Sequence, residues 1–287
     1  WIVPLTYTTK SELQFSDTKP SHWSFANKPL LLANHINNSD WVIFNLQNTG
    51  YYRVNYDDRN WQLIIDQLSE DLTQIHPLSR AQLVGDAIVL AMDDKLNNSI
   101  AKGIWNYLKN ETNLTPLSSA ATSFNVLRSS IEGTSVFAQF KSFVYNLLKT
   151  PFKAIGYKIA SSDSPLVKEL KPIFLHLACD VGNEDCIQQS IDEYTKNQDD
   201  LSKVHPDLKE VVYCNALRYS KDHQNVFNNL WSTYTATNQS HHKRQILKTI
   251  FSCIKSEEIV KNLLSKLIDP RNTEILKKEG LQILKKM

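Results

Sequence analysis

Glycine is scarce in this sequence, with seven residues among 287. So small a supply leaves no glycine-rich phosphate cradle: neither a P-loop nor GxGxxG occurs, and there is no GxSxG nucleophile elbow. An excess of one charge sign is missing too. The 32 basic and 30 acidic residues leave a formal charge of +2, which removes the electrostatic reason to expect nucleic acid or an anionic membrane as main partner. Apolar runs such as residues 173–178 fall far short of the ~20 residues that a membrane span requires. None of the eight His is followed by Glu, so no HExxH zinc helix is present. No two of the four cysteines have CxxC spacing, which weakens zinc-ribbon and redox readings. No signal peptide opens the chain; it starts at Trp1 inside a strand-like run, which reads as a cut and not a native start.

What is there suits a folded chain. Hydrophobic residues make up 41% and charged residues 22%, with six Trp, eleven Tyr and eleven Phe to bury. That composition excludes disorder over most of the length and leaves room for one large domain or two smaller ones. The first 57 residues read as β structure. Trp1, Val3, Leu5 and Tyr7 alternate with Ile2, Pro4, Thr6 and Thr8, the period of a half-buried strand. The runs 41–45 and 51–56, on either side of a short polar link ending in Gly50, predict a hairpin. With so few strands, the expectation is a partial β-sandwich over 1–57.

From Asp58 the pattern turns helical. Leu63, Ile64 and Leu68 share a face, as do Leu83, Ala87, Leu90 and Ala91. Thr115-Pro116, Thr150-Pro151, Ser164-Pro165 and Asp269-Pro270 each place a capping oxygen before a proline, the pattern of a helix start. Helices recurring every ~15 to 20 residues predict an irregular α-α superhelix of the HEAT or armadillo kind over 58–287, without an exact sequence repeat. Near the end, Lys277, Lys278, Lys285 and Lys286 read as the wet face of an amphipathic helix opposite Ile275, Leu276, Ile283 and Leu284.

No catalytic constellation emerges. His241 and His242 point about 100° apart on a helix and read, with Lys243 and Arg244, as a solvated helix start. His176, in an apolar helix, reads as a core or groove histidine. Arg80, Gln82 and Asp86 form a polar set within an apolar helix; Gln82 and Asp86 share a face and Arg80 lies roughly opposite. Two roles stay open for them, satisfying buried polar groups between helices or lining a cavity. Cys179, Cys186, Cys214 and Cys253 suit either two disulfides or four core thiols. Glycosylation sequons occur at Asn37, Asn97, Asn110, Asn113 and Asn238, but with 24 Asn in the chain chance alone supplies about four such triplets.

Residues 1–8 (WIVPLTYT), 48–57 (NTGYYRVNYD) with Asn60-Trp61, 79–87 (SRAQLVGDA), 179–186 (CDVGNEDC), 212–216 (VYCNA) and Ser252-Cys253 resemble, in order, the end of the M1 family of zinc aminopeptidases, aminopeptidase N type. The first strand is similar to that of arthropod members. Gly85 departs from the pattern, standing where an acidic residue is usual. The resemblance implies the end of a β-sandwich domain followed by a helical domain truncated at its carboxy end. It implies disulfides Cys179–Cys186 and Cys214–Cys253, and it makes the five sequons plausible glycosylation sites.

Function follows as an expectation from that resemblance. The helical domain caps the catalytic cleft and encloses peptide substrate, while zinc sits in a catalytic domain that this sequence does not contain. HExxH, the distant Glu ligand and GAMEN are absent, so no catalytic or metal-binding residue is assigned here and the chain alone is not expected to cleave peptides. The implied partners are the catalytic and amino-terminal domains of the same polypeptide and peptide substrates. The alternative is an interaction scaffold serving homodimerisation or binding a bacterial toxin or viral coat; nucleic acid is not a partner. The implied location is extracellular, on a membrane-anchored ectoenzyme whose anchor lies outside these residues.

Overall fold

Alternation at the start of the chain builds four short strands, β1 (Ile2–Leu5), β2 (Tyr7–Thr9), β3 (His22–Phe25) and β4 (Val42–Phe44). The computed structural model describes residues 1–26, 28–32 and 36–269. The strands pair antiparallel as β1–β3, with Val3 opposite Ser24, and β2–β4, with Thr8 opposite Ile43. Buried Thr6, between β1 and β2, accepts the Asn45 N–H on its carbonyl (2.9 Å) and the Leu46 N–H on its hydroxyl (2.8 Å).

The hairpin expected from 41–45 and 51–56 does not form. Leu46–Asn48 is a 3₁₀ turn, and Asn45, Gln47 and Asn48 take left-handed conformations (φ 59, 53 and 55). Side chains satisfy the outer edge of β4 in place of a strand. The Phe44 N–H donates to the Tyr56 hydroxyl (3.0 Å); the Asn60 amide accepts from the Val42 N–H (2.8 Å) and donates to its carbonyl (2.9 Å). A strand-like run can thus be used for its side chains and not its backbone.

The remainder is helical: α1 (Asp58–Glu70), α2 (Pro77–Met92), α3 (Asn98–Asn106), α4 (Leu114–Ile131), α5 (Phe137–Ile155), α6 (Pro165–Asp180), α7 (Glu184–Asn197), α8 (Lys209–Tyr219), α9 (His223–Ala236), α10 (Ser240–Cys253) and α11 (Glu257–Ile268). The chain is therefore mainly α, as its periodicity implies. Ser164 caps α6 through the Val167 N–H (3.3 Å), with Pro165 as the first helical residue. The other proline signals need correction. Asn113, not Thr115, caps α4 by accepting the Thr115 N–H (2.9 Å). Thr150-Pro151 starts nothing, because Pro151 lies inside α5. Burial of Val144, Leu147, Leu148, Pro151 and Phe152 along one face outweighs the hydrogen bond that a proline forfeits. Asp269 stands at the carboxy end of α11, while Pro270 and the amphipathic stretch 275–286 lie outside the described residues.

Two compact units result, Trp1–Leu177 and Ala178–Met287. In the first, α2 packs on α4 and α3, and α3 also meets α1; Trp41, Trp61, Trp105 and Phe124 are fully buried there. In the second, α7 packs on α8, α8 on α9 and α10, and α9 on α10, around Tyr213, Phe227, Leu230, Ile246 and Ile250. Among the described residues no helix is long and apolar enough to cross a membrane.

Candidate functional site

The segment 45–56 is fixed by its own side chains. Buried Asn45 accepts the Gly50 N–H (2.7 Å) and donates to the Gly50 and Tyr52 carbonyls (3.0 and 3.2 Å). Gly50 answers a close approach: a Cβ there would lie 2.3 Å from Tyr52 Cε1. The Tyr52 hydroxyl in turn donates to the Pro4 carbonyl (2.8 Å). Further on, Asn55 accepts the Trp61 indole N–H (3.0 Å) and donates to the Lys95 carbonyl (2.9 Å).

Asp86 of α2 takes hold of this segment. It accepts from the Arg53 guanidinium (2.8 Å), the Val54 N–H (3.1 Å) and the Gln82 amide (3.3 Å). Burial pushes its carboxyl above the ordinary range, and the Val54 N–H, Arg53 and Gln82 pull it back. Because the Gln82 amide nitrogen must face that carboxylate, its Oε1 is left buried and without a hydrogen-bond partner among the described residues.

Arg80 serves elsewhere. It forms a bidentate pair with Glu111 (2.7 and 3.1 Å) and donates to the Leu72 and Ile75 carbonyls. Glu111 also accepts the Thr112 and Asn113 N–H groups (3.0 and 2.9 Å). The polar set of α2 is thus divided: Arg80 satisfies buried groups between helices, while Gln82 and Asp86 also line a cavity.

That cavity is a cleft of about 620 Å³, bordered by 48–53 on one side and by Gln82, Gly85, Asp86, Ser119 and Thr122 on the other. Mid-helix Gly85 is costly by about 1 kcal/mol against Ala. A methyl group on it would stand 3.3 Å from Ser119 Oγ, which donates to the Ala81 carbonyl (2.7 Å), so the glycine keeps this part of the floor clear. The lining offers hydroxyls, an amide and a carboxylate, groups that pair with the amides of an extended chain. Ser119 and Thr122 donate to main-chain carbonyls (2.7 and 3.1 Å) and not to a general base. Among the described residues no three His, Cys, Asp or Glu side chains stand together as a metal site.

In the second unit Cys179 is bonded to Cys186 and Cys214 to Cys253, with Cα–Cα distances of 5.3 and 5.1 Å. Gly182 (φ 98) turns the small loop, and Asn183 caps α7 through the Cys186 N–H (2.9 Å). Arg218, one turn beyond Cys214, donates to Asp180 and to the Ser252 carbonyl (3.2 Å), so one guanidinium ties together segments that carry both bridges. His176 is half-buried on α6, and His241 and His242 open α10. The sequon residues Asn37, Asn97, Asn110 and Asn238 are exposed, while Asn113 is half-buried.

Sequence reading missed Arg53, Glu111 and Arg218. They meet their partners across 33, 31 and 38 residues. A charge inside an apolar helix signals that a partner exists, but no local pattern names it.

Comparison with known proteins bears on these motifs. The family model described as "ERAP1-like C-terminal domain" matches residues 41–284. Aminopeptidase N of Plutella xylostella is 33% identical over 274 residues, 93% of this chain and 28% of that protein. Aminopeptidase N of Rattus norvegicus is 28% identical, over 94% of this chain and 28% of that protein. Membrane alanyl aminopeptidase of Manduca sexta is 28% identical, over 93% of this chain and 27% of that protein. The chain thus spans little more than a quarter of the length of these relatives.

Proposed function

The chain belongs to the family of ERAP1-like C-terminal domains, and from that membership we propose that it is the non-catalytic carboxy-terminal region of a zinc aminopeptidase, where it caps the catalytic cleft and encloses the peptide substrate. In this reading residues 1–57 end a β-sandwich and 58–287 form the capping domain. The 620 Å³ cleft carries the proposal: its rim is pinned by Asp86, and its floor presents amide and hydroxyl groups suited to a peptide main chain. A surface of that kind orients the rest of a substrate while bond cleavage occurs elsewhere.

HExxH is absent from the sequence, and no metal-binding cluster occurs among the described residues; we therefore assign the zinc ion to another part of such an enzyme. Two disulfides suit an oxidising compartment, and the relatives' names include a membrane alanyl aminopeptidase. Both observations favour an extracellular ectoenzyme.

The test uses the complete aminopeptidase with Thr122→Trp, an exposed residue of the cleft. Release of the first residue from a ten-residue peptide should fall by about tenfold in kcat/KM, equivalent to ~1.4 kcal/mol, with a dipeptide unaffected. Equal rates on both substrates, before and after substitution, would overturn the enclosing role. Release of amino-terminal residues by this chain alone would overturn the non-catalytic reading.

A further inference from the structure

A second concavity, of about 380 Å³, lies where segment 53–57 passes the turn between α2 and α3. Tyr56, Asp58, Asp94, Lys95 and Asn98 line it together with Asn97, the first residue of the sequon Asn97-Asn98-Ser99. Its size is at the small end of ligand clefts, roughly 300–1,000 Å³, and suits one sugar ring better than a chain. Its borders are hydrogen-bonding groups: a carboxylate on each side, an ammonium and a side-chain amide. Asn97 is exposed and is held through Oδ1 alone, which accepts the Ser99 N–H and the Ser99 hydroxyl (both 3.0 Å). Its Nδ2 carries no hydrogen bond among the described residues.

We propose that Asn97 is N-glycosylated and that the first N-acetylglucosamine of the glycan seats in this concavity. The inference rests on the extracellular reading above. The co-reactant is a lipid-diphosphate-linked oligosaccharide. Asn97 Nδ2 forms a bond to its anomeric carbon, the bond from that carbon to the diphosphate oxygen breaks, the diphosphate leaves with the electron pair, and a base takes one amide proton. Oδ1 is untouched, so the cap on α3 survives modification. Asn113 presents a contrasting case: it is half-buried, and its backbone N–H is tied to Glu111 (2.9 Å).

A seated sugar covers the junction where Asn55 reaches the Lys95 carbonyl (2.9 Å), and it should slow local opening there. The chain is secreted from mammalian cells behind a signal peptide and mapped by peptide amidase digestion in heavy-oxygen water, which marks each glycosylated Asn. Asn97 should be occupied. Hydrogen exchange over residues 54–57 and 94–98 should be several-fold slower than in Ser99→Ala, and the protection should survive trimming to a single N-acetylglucosamine. Amidase treatment of the folded protein supplies a second comparison, because the Asp it creates at 97 retains the capping oxygen; it should lose the same protection. A bare Asn97 beside other occupied sequons overturns the site and leaves the extracellular reading standing. An occupied Asn97 with exchange unchanged by either removal overturns the seating. Peptide release by the complete enzyme is a separate readout, since neither Asn97 nor Ser99 borders the 620 Å³ cleft.

Discussion

The Asp86 carboxylate lies 2.8 Å from the Arg53 guanidinium, yet the two side chains live in different surroundings: Asp86 is 5% exposed and Arg53 is 53% exposed. An arginine in water loses little when unpaired, whereas a buried carboxylate needs every donor it has. The pair therefore works in one direction, with Arg53 and the Val54 N–H compensating Asp86. In doing so they fasten the segment 48–57 to α2 and set the rim of the cleft.

Stability should respond to pH through this group. Burial holds the Asp86 pKa above its ordinary 3.8, so the folded chain keeps a proton over a range where the unfolded chain has released it. Its contribution is fully present below the unfolded value and is lost as pH rises through the folded value. Asp86→Asn does not titrate there. Urea unfolding of both proteins from about pH 3 to about pH 7 should show wild type losing stability relative to the variant as pH rises. A difference that stays flat would refute the burial account.

Arg80 and Glu111 make the opposite case, since both side chains are buried, at 5% and 0% exposure. Glu111→Leu removes one charge and leaves the other uncompensated, at an expected cost of about 3–5 kcal/mol. The double variant Arg80→Met with Glu111→Leu should recover much of that loss, though not all, because the Thr112 and Asn113 N–H groups lose their acceptor. Urea unfolding of the four proteins of the cycle measures the coupling; additive losses would mean that the pair contributes nothing as a pair.

These pairings mark the boundary of what the sequence made legible. Helix content, the position of α1 and α2 and the polar character of Arg80, Gln82 and Asp86 follow from local periodicity. The identity of each partner does not, because contacts across 31 and 33 residues leave no local signal. Segment 51–56 misleads for a related reason. It alternates like a strand, but the Val54 N–H goes to Asp86 (3.1 Å) and the Tyr56 N–H to the Asn55 side chain (3.0 Å), so its backbone needs no neighbouring strand. Pro151 misleads because the apolar face running from Val144 to Phe152 carries α5 past it.

Gly50→Ala tests how tightly this segment is packed. The new methyl would fall 2.3 Å from the Tyr52 ring and 3.0 Å from Asn45 Oδ1. The ring is not free to move aside, because its hydroxyl is bound to the Pro4 carbonyl. Overpacking of this kind costs about 1–3 kcal/mol. In a Tyr52→Ala background the same substitution should be nearly neutral by thermal unfolding. If Gly50→Ala costs as much without the ring as with it, Tyr52 is not the reason for the glycine.

The two disulfides should contribute unequally. Cys179 and Cys186 are 7 residues apart in sequence, and Cys214 and Cys253 are 39 apart. A longer closed loop removes more freedom from the unfolded chain, which gives about 2.5 kcal/mol for the first bridge and about 4 for the second on the chain-entropy account. Paired Cys→Ser variants, unfolded in urea under oxidising conditions, should therefore rank with the Cys214–Cys253 deletion as the more damaging. Arg218 adds a refinement, because it bonds Asp180 beside one bridge and the Ser252 carbonyl beside the other. With Arg218→Met in place, removing either bridge should cost more than it does in wild type, since the guanidinium no longer helps hold the freed segment. The reverse ranking would show that the bridges do not act chiefly through the freedom they remove, and bridge losses that do not depend on Arg218 would show that its guanidinium does not hold the freed segments.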